Sequence, residues 1–443
     1  MKQKTNVLML AAMIALGRGM PLRAETLTVD AESSARMAVE ASNLTLAAEE
    51  RMTASQSTVR AADSARLPTL IVHAAVARQN PVPEFAAPIE GPGQPPVVIF
   101  PNIENTYSAD VSVSQPIYSG GSISANREEA RFEESASIWS QKLTVLDLSK
   151  NARLLYWSAV TAAAGVDVAE SQITRAQRLL NDARALREAG MAVDADVFAA
   201  EARFAAAEVD VIRSRNEKEQ ALARLRSLLA VDEGTIIILE DARTQQIPAP
   251  PPSLSDLESE ALENRPELKI AEARIGGLGA QARTAAAARR PAVAATAQWL
   301  VARPNQRFLP LEDTVNDSWR VALGASWQIF DGSRTKERVA TVSAEQRALE
   351  HDSRELERQI RLEVATARLE LRSALEAVAS ADASAAAAMA WEEASSDRYT
   401  AGLAMMSELL DAQADLTAAE VAQVKTRAAA WVAEAVLRRA EGR

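Results

Sequence analysis

The stretch 115–132 reads QPIYSGGSISANREEARF, and the stretch 327–342 reads WQIFDGSRTKERVATV. Laid over each other they set Ile117 on Ile329, Tyr118 on Phe330 and Gly120 on Gly332, a displacement of 329 − 117 = 212 residues. Each begins where an alternating apolar and polar run ends, passes a glycine-bearing turn, and continues into a long charged segment free of proline. That is the signature of a strand turning into a helix. The same displacement carries LREAGMAVDADVFAAEA (186–202) onto RYTAGLAMMSELLDAQA (398–414), matching Gly190 to Gly402, Asp196 to Glu408 and Val197 to Leu409. Two matches at one offset indicate an internal duplication, and a repeat of this length governs the whole architecture.

Working outward, each half reads as helix, strand, loop, strand, very long helix, tight turn, helix. The first repeat spans 25–246, with helices predicted over 32–64, 122–188 and 192–230. The second spans 254–443, with helices over 254–289, 333–400 and 405–440. Between them the run IPAPPPS (247–253) cannot be helical and acts as a short stiff spacer. Each long helix would measure roughly 100 Å at about 1.5 Å per residue. The two shorter helices of a repeat have nearly the same summed length, so stacked end to end they would run alongside the long one. A tall helical tube uses that match, and a globular domain does not.

The predicted strands cover about 67–79 and 107–118 in the first repeat and about 292–303 and 318–330 in the second. In the last, Trp319, Val321, Leu323, Ala325, Trp327 and Ile329 take one face, while Arg320, Ala322, Gly324, Ser326 and Gln328 take the other. Trp319 to Trp327 is roughly 27 Å at about 3.3 Å per residue, near the roughly 25 Å apolar band of outer-membrane barrels. Tyr107, Trp299, Trp319 and Trp327 are the expected lipid-facing aromatic girdle. The alternation alone also fits a soluble sheet with one wet face. Four strands cannot close a barrel, so a barrel requires self-association. The loops 81–101 and 304–317 would face outward.

Composition narrows the class. Residues 1–24 have a basic stub, an apolar run of ten from Val7 to Leu16 and a short polar end, the layout of a secretory signal peptide. Removing them takes four cations (Lys2, Lys4, Arg18, Arg23) from a net charge of −11, leaving −11 − 4 = −15. Nucleic acid, itself anionic, is therefore not an expected partner. The absence of cysteine excludes disulfides, thiol nucleophiles and zinc-thiolate sites. Only 4% of residues are aromatic and alanine dominates the apolar share, which suits long helices packed closely side by side.

No enzyme chemistry is legible. His73 and His351 have no second ligand at metal-binding spacing. Gly276, Gly277 and Gly279 lack the lysine-serine pair of a phosphate loop, so close helix packing explains them better. No catalytic residue, cofactor or metal is expected.

The stretch NRPELKIAEARI (264–275), the junctions QPIYSGG and WQIFDGS, and the turn RYTAGLAMMSELLDAQADL (398–416) together resemble the TolC family of outer-membrane factors across essentially the whole chain beyond the leader. The first-repeat counterpart of the proline motif, SNLTLAAEERM (42–52), lacks the proline. The resemblance implies a mainly α fold with a membrane β-barrel: a homotrimer in which 3 × 4 = 12 strands form one barrel in outer-membrane lipid above a periplasmic α-barrel. It implies a passive exit duct of a tripartite efflux or type I secretion system in a Gram-negative-type envelope. An inner-membrane transporter would supply the energy, and a periplasmic adaptor would dock on the helical tips. Those tips would be the turns at Gly190 and Gly402, with Asp194, Asp196 and Glu408 at the following helix starts. Helix capping alone also accounts for these residues. By the same resemblance Asp182, Glu392 and Glu393 are candidates for acids at the closed aperture, although charges on a long helix are ordinarily just solvated. The rival reading is a soluble periplasmic coiled-coil scaffold or adaptor.

Overall fold

The structure, a computed structural model, describes residues 26–88, 96–239 and 246–443. The expected leader, residues 1–24, lies outside the described residues. Among them the elements run β1 (Thr26–Val29), α1 (Ala31–Ala41), α2 (Asn43–Ser64), β2 (Thr69–Arg78), β3 (Phe85–Ala87), β4 (Val97–Phe100), β5 (Asn105–Tyr118), α3 (Ser122–Glu188) and α4 (Asp194–Leu229). Then follow β6 (Ile236–Leu239), α5 (Leu254–Asn264), α6 (Pro266–Ala287), β7 (Ala292–Arg303), β8 (Asn316–Ser326), α7 (Arg334–Thr400) and α8 (Met406–Glu441).

The duplication is carried by the helices. α1 and α5 each have 11 residues, α2 and α6 22, α3 and α7 67, and α4 and α8 36. α3 is flanked along its upper part by α2 and α6 and along its lower part by α4 and α8, while α7 packs on α6 and α8. The lower array thus runs α4–α3–α8–α7, with α4 and α7 at its open edges. β2, β5, β7 and β8 form one antiparallel sheet in that order, so the repeats join through β5 and β7, and β2 and β8 are left as edges.

Three expected elements are corrected. The single helix over 32–64 is two helices, because Ser42 is extended (φ −78°, ψ 125°) and its side chain caps the second by accepting from the Leu44 amide at 3.1 Å. The helix over 254–289 is likewise broken at Arg265 (φ −62°, ψ 119°), where Pro266 disfavours helical backbone before it and takes the first helical position itself. The strand over 318–330 begins at Asn316 and stops at Ser326. Its neighbour in the sheet, β7, begins at Ala292 opposite Ser326, so residues 327–330 have no strand to pair with among the described residues. Instead the Trp327 indole donates to the Arg289 carbonyl at 3.0 Å.

Sequence reading also missed two short ribbons. β1 and β6 pair in parallel, and Val29 and Ile237 from them join Ala35, Ala38, Tyr156, Val160 and Leu225 in a core beside α1, α3 and α4. β3 and β4 form a hairpin within the first outward loop, and the Leu311 amide donates to the Ile99 carbonyl at 2.9 Å, tying that loop to the second.

A belt of ion pairs around the middle of the long helices braces the corner of the second repeat and joins it to the first. Arg265, only 3% exposed, donates to Glu363 at 2.8 Å, Glu267 at 3.1 Å and the Ala440 carbonyl at 3.3 Å. Arg439 spans Asp147 of α3 at 2.8 Å and Glu267 of α6 at 2.7 Å. Glu32 of α1 accepts from Arg153 at 2.8 Å and from Arg438 at 2.7 Å. Gly276 belongs to helix packing, since a Cβ there would lie 2.5 Å from the Phe132 ring.

Candidate functional site

Strand register divides the sheet into two unlike faces. Val72, Val111, Trp299 and Trp319 stand side by side in one row across the four strands, and Leu70, Val113, Ala297 and Val321 form the next row on the same face. On the other face, rows such as Ile71, Ser112, Gln298 and Arg320 are mixed or polar. There His73 lies 3.4 Å from Asp110. Among the described residues no helix is substantially packed on the apolar face, and Trp319 and Leu323 are 70% and 73% exposed. A bare face of this extent in water would be an aggregation hazard, so it calls for lipid.

The four aromatic residues expected to form a girdle occupy different levels of the sheet. Trp299 and Trp319 are directly opposite each other, and the Trp299 indole donates to Asp317 at 3.2 Å. Tyr107 is at the outward end opposite Arg303, whose guanidinium sits 5.6 Å from its ring centre, and Trp327 lies past the inner end of β8. An aromatic residue with a polar handle suits each border between lipid and water.

At the other end of the long helices the two tips have the same backbone. Gly190 and Gly402 adopt φ 73° and 68°, the left-handed conformation that glycine tolerates best. The Met191 amide donates back to the Leu186 carbonyl at 2.8 Å, and the Leu403 amide to the Arg398 carbonyl at 2.7 Å, which closes each helix end in the same way. The acids then diverge. Asp194 pairs with Arg187, Asp196 accepts from the Val193 amide at 3.3 Å, and Glu408 reaches back to Arg398 rather than capping. The tips pack on each other through Leu179, Val197, Tyr399, Met406 and Leu409. Tyr399 is 5% exposed and its hydroxyl has no hydrogen-bond partner among the described residues. Burial, followed by the nearby carboxylates of Asp196 and Asp182, pushes its phenol above the ordinary value.

Sequence reading missed the apolar residues just past the tip glycines. Met191, Val193, Leu403 and Met405 are all well exposed, Leu403 and Met405 at 73% and 75%. The duplicated strings GMAV and GLAM carry the signal, since the shift of 212 sets Met191 on Leu403 and Val193 on Met405.

Asp182, Glu392 and Glu393 are brought to one cleft of about 350 Å³ between α3, α7 and α8. Two guanidinium groups, Arg175 and Arg178, share it, and Arg175 bonds Glu420 at 3.0 Å. Glu392 accepts from Gln413 at 3.4 Å, whereas Glu393 is exposed. The cleft is therefore mixed in sign rather than a purely acidic pocket. Among the described residues no group of three or more histidines, cysteines or acids could hold a metal ion, and no helix is long and apolar enough to cross a membrane. Crossing would fall to the strands.

The model of the family described as outer membrane efflux protein matches residues 36–231 and 257–443, both repeats. The chain belongs to the outer membrane efflux protein family. No curated protein matches it in sequence. Its fold is that of CusC, with a TM-score of 0.80 at 18% identity over 97% of this chain and 95% of CusC. It is also similar to the outer membrane protein VceC of Vibrio cholerae (0.75, 16%, 93% and 96%) and to the MtrE outer membrane channel of Neisseria gonorrhoeae (0.75, 18%, 93% and 88%). As a member of this family the protein is an outer-membrane channel, and the soluble scaffold is set aside.

Proposed function

We propose that three copies of this chain close one duct, and that it is a passive conduit with no catalytic step. The observation that carries this is a coincidence of open edges. The sheet ends in β2 and β8, the lower helical array ends in α4 and α7, and both orders place elements from the two repeats at opposite borders. A head-to-tail ring of copies pairs β8 of one with β2 of the next and α7 of one with α4 of the next, leaving neither edge bare. α4 carries exposed Phe198, Val209 and Ile212 along such an edge. Twelve strands would then surround a lumen lined by the polar face, with the apolar face in lipid. Detergent-solubilised protein from the membrane fraction should have the mass of three chains. A water-soluble monomer in the periplasmic fraction would contradict the assembly.

In this reading an inner-membrane transporter drives export, and its periplasmic adaptor docks on the tips at Gly190 and Gly402, with Asp194, Asp196 and Glu408 bracing the turns. The exposed quartet Met191, Val193, Leu403 and Met405 supplies the apolar anchors that such a contact needs at its centre. Met191→Asp combined with Leu403→Asp should abolish co-purification with the adaptor while membrane insertion is retained. At the aperture Asp182, Glu392 and Glu393 set cation affinity, with exposed Glu393 the strongest contributor. Single-channel recordings of Glu393→Gln should show weakened cation block, and unchanged block removes Glu393 from this role.

A further inference from the structure

We propose that the first repeat carries a trough on the inner wall of the duct that holds amphipathic anions in transit, an inference that rests on the conduit reading above. The trough is about 700 Å³, with α3 as its floor and α4 and α8 as its walls. That volume lies within the roughly 300–1,000 Å³ of small-molecule sites.

Its orientation follows from helix geometry. Ala152, Tyr156 and Ala159 of α3 join the core shared with α1 and the β1–β6 ribbon, whereas Ser158, Thr161 and Gly165 floor the trough. At about 100° per residue these two sets point in roughly opposite directions. The trough therefore opens on the side of the array opposite α1 and the ribbon, the side this proposal assigns to the lumen, and its α4 wall is the inner flank of the edge helix.

The floor has a glycine that nothing else explains. Gly165 sits in the interior of a 67-residue helix, where glycine is the least favourable residue after proline. Its backbone is ordinary, and a Cβ added to it would meet no atom within 4 Å. No neighbour requires its smallness, and what smallness provides there is open volume. The shift of 212 sets Gly165 on Ala377, Trp157 on Leu369 and Val168 on Ser380, so the second repeat does not reproduce the feature.

The chemistry of the lining selects the ligand. At the upper end Trp157, only 3% exposed, contributes to the floor and is backed by Trp431, on which it stacks with ring centroids 5.5 Å apart and planes 6° apart. Val168, Val424 and Val432 extend the apolar surface. Arg224 on the α4 wall and Lys425 on the α8 wall make no ion pair with any described residue, and Glu217 adds one acid, also unpaired. The rim is therefore net positive by one charge, in a chain whose net charge is −11. An apolar groove with Trp157 at its floor, and on facing walls two cations that pair with no described residue, complements a flat apolar anion of drug size.

The test uses the assembled protein in lipid nanodiscs and the fluorescent anion 1-anilinonaphthalene-8-sulfonate, with empty nanodiscs subtracted and single-channel conductance recorded in parallel. Saturable binding of one probe per chain, with quenching of tryptophan emission, is expected. Gly165→Leu, which fills open space with a good helix former, should weaken binding at least tenfold while helix content is unchanged. Gly165→Ala, the residue of the second repeat, should have a smaller effect in the same direction. Arg224→Gln with Lys425→Gln should weaken the anion about tenfold and leave uncharged N-phenyl-1-naphthylamine unaffected. Equal binding by the parent protein and Gly165→Leu overturns the trough, as does an absence of saturable binding in protein that conducts. Saturable, Gly165-dependent binding in protein that does not conduct keeps the trough and rejects the duct.

Discussion

The two repeats match residue for residue in helix length yet hold their corners by different means. At the strand-to-helix junction of the first, Gly120 and Gly121 take φ 66° and 94°; in the second, Gly332 and Ser333 take φ 67° and 71°. The backbone path is the same. The reasons for it are not: a Cβ on Gly120 would lie 2.7 Å from the Ala287 carbonyl oxygen, whereas nothing lies within 4 Å of one on Gly332. The second junction is braced locally instead, by Asp331 accepting from the Thr335 amide at 2.8 Å. Duplication has preserved the path of the chain, while the contacts that enforce it have diverged.

Substitution should separate the two causes. Gly120→Ala bears both the left-handed backbone and the collision, for a loss of about 3 kcal/mol or more, whereas Gly332→Ala bears the backbone alone, about 1–2 kcal/mol. Thermal unfolding of the two variants in the same detergent should therefore show the first with clearly the lower midpoint. Equal shifts would mean that the Ala287 contact does not constrain the junction.

The helix–helix corners make a second contrast. In the second repeat Pro266 and the buried Arg265 hold the break between α5 and α6; in the first, the Ser42 hydroxyl alone caps α2. Arg265→Gln should cost about 2 kcal/mol through lost charged hydrogen bonds, and Ser42→Ala about 1 kcal/mol. The reverse order would place the weight of the belt on the first repeat.

A smaller effect is expected where the repeats meet through Glu32. The hydrogen bond from Arg153 lowers its carboxyl pKa, outweighing burial, with the charges of Arg153 and Arg438 adding to it. A folded pKa below the unfolded one means that this stabilisation is complete above the ordinary glutamate value of 4.5 and is lost as pH falls through the lowered value. Glu32→Gln should thus reduce stability near neutral pH and flatten its decline in acid. An unchanged acid limb would show that the exposed pair contributes nothing measurable, as many surface pairs do.

These contrasts indicate which features a sequence can carry. The alternation around Trp319 and Leu323 and the glycines at 190 and 402 act through nearest neighbours, so their consequences are readable along the chain. The corner at Pro266 carried a signal that the single helix expected over 254–289 passed over, since proline disfavours helix before it; the corner at Ser42 carried none, because serine is ordinary inside a helix unless its hydroxyl turns to cap. The end of β8 at Ser326 depends on where β7 begins, and the β1–β6 ribbon joins two four-residue segments far apart in sequence. The gathering of Asp182 and Glu392 with Arg175 depends on how α3 packs against the other repeat. The exposed tip residues were legible in principle, in GMAV and GLAM, but only once exposure distinguishes an apolar anchor from a core residue.

Conductance across a planar lipid bilayer tests the central claim most directly. Purified protein should insert with its apolar sheet face in lipid and give discrete, long-lived conductance steps. Asp residues in place of Val321 and Leu323 on that face should abolish insertion, whereas Asp in place of Ser112 on the polar face should leave it intact. Steps that survive the first pair of changes, or a parent protein that never conducts, would contradict the assignment of one face to lipid and the other to water.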